Sequence, residues 1–124
     1  MTRGFAALAA TALAGCAAAV PEGPPVYLGI ETRPVGADVV NLVARMQGGS
    51  AALATDYARC AVADLALRQG YGFARHVRTS IGLASGVHTA DAVYTLSKGL
   101  PAGAVRLDAD VIAADCRDRG IPVS

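Results

Sequence analysis

The chain has 124 residues, of which 53% are apolar, 17% charged and 5% aromatic, and its 11 basic side chains nearly balance its 10 acidic ones. This length predicts a single domain, and the apolar fraction excludes a disordered chain. The balanced charge excludes a general nucleic-acid binder, because such a protein needs a basic excess to displace counterions from phosphates.

The first 15 residues are typical of a secretory signal peptide. Arg3 is the only charged residue among the first 20, and a run of small and apolar residues follows it as far as Gly15. A helix that spans a membrane needs about 20 apolar residues, and this run is shorter. A positive start, a short apolar segment and small residues at the end predict a signal peptide at 1–15.

The end of that segment, Leu13-Ala14-Gly15-Cys16, resembles the lipobox of bacterial lipoproteins. In that family the cysteine sulfur is alkylated with diacylglycerol, the signal is cut before the cysteine, and the new amino group is acylated. The resemblance implies that Cys16 carries acyl chains that hold the protein on a bilayer. Ala17 follows instead of an aspartate, which by resemblance to enteric bacteria favours the outer membrane, facing the periplasm. The alternative is an ordinary signal peptide or a buried Ala-rich helix.

A proline-rich tether and two strands are predicted next. Residues 17–25 contain three prolines and a glycine, which prevent regular structure. The stretch 16–37 is therefore interpreted as the lipidated cysteine with its tether, carrying an edge strand at 26–32. Residues 39–46 are β-branched and partly alternating, which predicts a strand. The folded domain is expected at 38–116.

The clearest helix is predicted at 51–69, which is rich in Ala, Leu and Arg, with Ser50 as its N-cap and Gly70 just past its end. The remaining elements are strands expected at 71–79, 87–97 and 104–114, the last of which alternates most regularly, and a polar tail at 117–124. Together they predict an α+β fold. One helix packs on a mainly antiparallel four- to five-stranded sheet, as a two-layer sandwich.

Two cysteines remain once Cys16 is assigned to lipid, namely Cys60 and Cys116. Disulfides persist in the oxidising compartments to which lipoproteins are exported. We therefore predict a Cys60–Cys116 bridge, with two unpaired buried thiols as the alternative. No Cys-x-x-Cys spacing indicates a redox-active pair.

Asp64 is the most informative polar residue, because helical periodicity places it on the apolar face of the 51–69 helix. A buried carboxylate needs a partner. Arg68 lies at i+4, and Arg75, His76 and Arg78 follow on the next strand. We predict a structural ion pair of Asp64 with Arg68 or with one of Arg75, His76 and Arg78, which would join the helix to this strand. The alternative is a general acid or base with His76, or an anion site at the arginines.

Candidate catalytic and metal-binding residues are few. His76 and His88 are the only histidines, which leaves too few ligands for a zinc site, so no metal and no cofactor is expected. A triad could be assembled from Ser80 or Ser85 with His76 and Asp91, but neither serine lies in a nucleophile-elbow motif. We therefore predict no catalytic residue.

A short block also resembles a known group of proteins. Residues 64–71, Asp-Leu-Ala-Leu-Arg-Gln-Gly-Tyr, are similar to a stretch of small uncharacterised lipoproteins of proteobacteria, where it closes a helix and opens a strand. The resemblance implies a cell-envelope protein with no assigned activity, and it carries over no catalytic residue.

The sequence as a whole favours a non-enzymatic lipoprotein of the cell envelope. It would contact the bilayer through Cys16 and bind an envelope protein or a cell-wall partner. One alternative is a structural accessory subunit of an envelope complex. Another is a small periplasmic hydrolase, which a cleft holding His76 and Asp64 together would favour.

Overall fold

The computed structural model describes residues 24–99 and 106–124, without the side chain of Arg106. The predicted signal peptide at 1–15 and the lipobox ending at Cys16 lie outside the described residues. The elements follow one another along the chain as β1 Val26–Pro34, β2 Val39–Gln47, α1 Ala51–Arg68, β3 Phe73–Ala84, β4 Val87–Ser97, β5 Arg106–Asp108 and α2 Ala109–Arg119.

The five strands form one sheet in the order β1-β2-β4-β3-β5, and every neighbouring pair is antiparallel. The fold is therefore α+β with a five-stranded antiparallel sheet. β1 pairs with β2 at one edge of the sheet, where an edge strand was expected at 26–32. No helix in the described ranges is both long and apolar enough to cross a membrane.

One face of the sheet packs against α1. Alternate side chains of the two central strands point to this face and are buried: Val40, Leu42, Ala44 and Met46 from β2, and Ala90, Ala92, Tyr94 and Leu96 from β4. This period of two is expected of strands that have one buried face. Fully buried alanines on both layers let the helix approach the sheet closely.

The ends of α1 agree with its sequence. Ser50 is the N-cap, and its side chain accepts a hydrogen bond from the amide of Leu53 at 3.0 Å. The helix ends at Arg68, and Gly70 follows with φ of +82°, a conformation that glycine adopts without a steric penalty. The predicted cap and terminator are confirmed.

The strand predicted at 104–114 is wrong. Only Arg106–Asp108 is extended, and α2 begins at Ala109. The carboxylate of Asp108 accepts from the amides of Asp110 and Val111, at 3.0 and 3.3 Å, and so caps the helix. Alternation placed Val111 on the buried face, but Val111 is 62% exposed. The buried residues are instead Ala109, Ala113 and Cys116, which have the i, i+4, i+7 spacing of a helix face.

The expected single helix is therefore replaced by two. α1 covers the sheet, and α2 packs mainly on α1. The expected polar tail at 117–124 is also wrong in part, because α2 continues to Arg119 and Ile121 is buried in the core. Because α2 packs on the side of α1 that faces away from the sheet, α1 is buried over most of its circumference. Apolar residues therefore occur on most sides of this helix and not on a single face.

Candidate functional site

The predicted Cys60–Cys116 disulfide is present. It joins α1 to α2 with the two Cα atoms 5.9 Å apart, and both cysteines are almost completely buried. The sequence predicted the pairing by elimination, but it placed Cys116 after a strand instead of on a second helix. The bridge cross-links residues separated by 56 positions, which restricts the unfolded chain.

Asp64 forms an ion pair with Arg68, one of its predicted partners. Its Oδ2 lies 2.7 Å from Nε of Arg68, and the two side chains are 32% and 63% exposed. Asp64 shares an angular sector of α1 with Tyr57, as periodicity predicts, but it lies two turns closer to the end of the helix, where this sector reaches solvent. The expectation of a buried carboxylate is therefore wrong, and the predicted link from α1 to β3 is not formed.

The expected partners on β3 are engaged elsewhere or exposed. His76 Nε2 lies 2.7 Å from Oγ1 of Thr79, and the side chain of Arg78 reaches Ser80 at 3.5 Å. Arg75 is exposed and makes no ion pair with the described residues. Arg75, His76 and Arg78 therefore do not contact Asp64.

The hypothetical triad is not assembled. Ser80 lies directly opposite Asp91, whereas His76 lies opposite Tyr94, three residues farther along β4. Residues three apart on a strand face opposite sides of the sheet, so His76 faces α1 while Ser80 and Asp91 face away from it. Asp91 instead accepts a hydrogen bond of 2.6 Å from the amide nitrogen of Asn41.

The structure places a groove, the α1–β3 groove, beside His76. It has a volume of about 230 Å³ and is lined by Thr55, Arg59, His76, Tyr94 and Leu107. The ring of His76 stands edge-on to the ring of Tyr94, with centroids 5.4 Å apart. Asp64 does not line the groove, so the pairing of His76 with Asp64 that would favour a hydrolase is absent.

Tyr94 brings a hydroxyl into an otherwise apolar face of the sheet. The residue is 2% exposed, and burial raises the pKa of its phenol to about 12, partly offset by the positive charge of Arg59. The phenol is therefore neutral and a hydrogen-bond donor at physiological pH.

Sequence reasoning missed this groove. Helical periodicity assigned Thr55 and Arg59 to the solvent side of α1, and Tyr94 was one position of a strand. One feature of the sequence could have indicated the groove. Tyr94 is the only residue with a hydroxyl group among the buried positions of β4.

A second feature is the outer edge of β3. β5 pairs with β3 only at Phe73, Ala74 and Arg75, and no strand of the described chain pairs with residues 76–84 on that side. We call residues 76–84 the free β3 edge. Large apolar side chains along it are exposed by 44 to 65%: Val77, Ile81 and Leu83.

The sequence did not predict this edge because the strand was expected to end at residue 79. The strand runs to Ala84, and the turn is confined to Ser85 and Gly86, with φ of +51° and +76°. Two consecutive positive φ values are the geometry of the tight hairpin turn that matches strand twist.

Comparison with known proteins gives the chain relatives but no function. Residues 27–120 match the model of the YNQ4 C-terminal domain. A curated relative, an uncharacterised 26.9 kDa protein in the nqo8 5′ region of the proteobacterium Paracoccus denitrificans, is 36% identical over 91 residues. That match covers 72% of this chain but only 36% of the relative. No solved structure matches the chain. This chain belongs to the YNQ4 C-terminal domain family.

Proposed function

We propose that this chain is an exported, lipid-anchored protein of the cell envelope whose folded domain binds a protein partner and does not catalyse a reaction. The observation that carries the proposal is the Cys60–Cys116 bridge between α1 and α2. Disulfides are rare in reducing compartments and persist in the periplasm. The lipobox ending at Cys16 offers a route to that compartment, and a proteobacterial relative fits such an envelope.

The anchor is tested in a Gram-negative bacterium that expresses the full chain. Radioactive palmitate should label the wild-type protein, and Cys16→Ser should lose the label and leave an unprocessed precursor. Without reduction, a maleimide reagent should find no free thiol in the mature domain. A Cys16→Ser chain of mature mass would contradict lipidation, and two reactive thiols in the wild type would contradict export to an oxidising compartment.

The free β3 edge is the part of the domain best suited to hold a partner. An unpaired edge offers backbone N–H and C=O groups to another strand, and natural proteins usually shield such an edge. Here Val77, Ile81 and Leu83 remain exposed along it. Addition of an extended segment to a sheet edge is a recurring mode of peptide recognition.

The charge on β3 favours an acidic segment. Arg75 and Arg78 lie opposite Thr95 and Val93 and so share the face turned away from α1. β3 contains no acidic residue, and within the described ranges neither arginine has an ion-pair partner. We propose that an extended, acidic segment of another envelope protein pairs with the edge.

Site-specific photocrosslinking tests this partner. A benzophenone side chain at position 83, on the edge, should form an adduct in living cells. The same group at position 111, which is equally exposed on α2, should not. The adduct should disappear when Arg75 and Arg78 are both changed to Glu, and should persist in the control Arg117→Glu.

Three results of that experiment contradict the proposal. They are equal adducts at both positions, an adduct that survives the reversal of charge, and an adduct with a second copy of this chain. If a partner is captured and also co-purifies in fixed stoichiometry from solubilised membranes, the chain is an accessory subunit of a complex instead of a transient binder.

A further inference from the structure

We propose that the α1–β3 groove binds a small organic carboxylate: a carboxylate group carried on a compact apolar body. The groove lies between α1 and the start of the free β3 edge and is lined by Thr55, Arg59, His76, Tyr94 and Leu107. Its volume of about 230 Å³ is that of a small ligand site, somewhat below the range for drug-sized molecules. This inference does not depend on the lipid anchor or on the partner at the β3 edge.

The Tyr94 hydroxyl is the first observation that points to a ligand. No described residue forms a hydrogen bond with it, although the residue is 98% buried. Tyr94 is one of the residues that line the groove, and a phenol hydroxyl is a donor that can bond to a ligand there.

Arg59 places a positive charge at the groove. Its guanidinium makes no ion pair with any described carboxylate, and its charge acts on the Tyr94 phenol. The acidic residue that also acts on Tyr94 is Asp56, which is held by Arg119 at 2.8 Å. Among the described residues that line the groove, Arg59 therefore carries a positive charge without an ion-pair partner.

The chemistry of these donors favours a carboxylate. A guanidinium presents parallel N–H groups that match the two oxygens of a carboxylate, and a phenol adds a third donor. A single arginine does not match the charge of a polyphosphate. His76, Tyr94 and Leu107 also line the groove and contribute apolar atoms to it, and Nε2 of His76 is already engaged by Thr79.

The test uses the full chain as Cys16→Ser, which cannot be lipidated, and benzoate as the probe. Saturation-transfer NMR should show saturable binding of benzoate, and benzamide, its neutral analogue, should bind at least about tenfold more weakly. Since a hydrogen bond to a charged group contributes about 1.5–3 kcal/mol, Arg59→Gln should weaken binding by about tenfold or more. Tyr94→Phe should weaken it less, by about threefold to tenfold.

The matched control is Arg117→Gln, which removes an exposed arginine from α2 and should leave the affinity unchanged. Arg59 is exposed, so its replacement should keep the wild-type melting temperature. The proposal is overturned if benzoate and benzamide bind equally, or if Arg59→Gln binds benzoate like the wild type. It is also overturned if neither benzoate nor the smaller propionate shows saturable binding.

Discussion

Single residues in this protein have roles set by how far the neighbouring elements cover them. Asp64 and Tyr94 both carry polar groups at positions that periodicity assigns to a buried face. Tyr94 lies on the central strand of the sheet and is 2% exposed, whereas Asp64 lies near the end of α1 and reaches solvent. Position along an element therefore matters as much as the face.

Asp64→Ala should have little effect on stability. The Asp64–Arg68 pair is an i, i+4 pair with a largely exposed arginine, and such pairs contribute about 0.3–0.5 kcal/mol. Chemical denaturation of the Cys16→Ser chain should give a free energy of unfolding within about 0.5 kcal/mol of its parent. A loss of several kcal/mol would mean that Asp64 has a buried partner after all.

Tyr94 should make stability fall at alkaline pH. Its pKa is raised to about 12 in the folded state against 10.0 in the unfolded chain, so between these values the folded state binds more protons. The free energy of unfolding should fall as pH rises from about 10 to 12, by at most about 3 kcal/mol from this group. Chemical denaturation of the wild type and of Tyr94→Phe at pH 9 and at pH 11.5 isolates the contribution of Tyr94. An equal loss of unfolding free energy between the two pH values in both proteins would exclude the effect.

At the scale of elements, the cap at Asp108 sets the boundary between β5 and α2. Asp108 ends β5 and starts α2, so the same residue decides where the strand ends and where the second helix begins. β5 pairs with β3 only at Phe73, Ala74 and Arg75, and the described strands leave residues 76–84 unpaired on that side.

Asp108→Ala should destabilise the protein by about 1 kcal/mol, because it removes the acceptor for the amides of Asp110 and Val111. Asp108→Asn keeps a side-chain oxygen at the cap and should cost much less. Thermal melts of both variants make the comparison. Equal losses in the two would show that the charge, and not the cap, stabilises α2.

On the scale of the whole molecule, three connections join the parts into one domain. α1 packs on the sheet, and Cys60–Cys116 and the Asp56–Arg119 pair hold α2 against α1. The disulfide is buried, whereas the ion pair is partly exposed and screened by solvent. The covalent bond is therefore expected to dominate.

Loss of the disulfide should cost about 2–5 kcal/mol. Reduction of the wild type should lower its melting temperature sharply, and the double variant Cys60→Ala, Cys116→Ala should melt near the reduced wild type and ignore the reductant. Because small domains are marginally stable, the variant should also be less abundant in the envelope. A melting temperature unchanged by reduction would show that packing alone holds α2 in place.

The sequence by itself determined the parts whose signals are local or unique. A β-branched, partly alternating pattern located β2, Ser50 and Gly70 bounded α1, and elimination paired Cys60 with Cys116. These signals were confirmed because a cap, a terminating glycine and the two remaining cysteines act through local or unique chemistry.

Only the tertiary structure decided the features that depend on what covers an element. Residues 109–116 fit both a strand and a helix pattern, and the cap at Asp108 together with the buried side of α1 selected the helix. The exposure of Asp64 and the α1–β3 groove likewise depend on how far the neighbouring elements extend. Periodicity reports which face a residue occupies, but burial also requires a second surface to lie against that face, and that surface comes from distant parts of the chain.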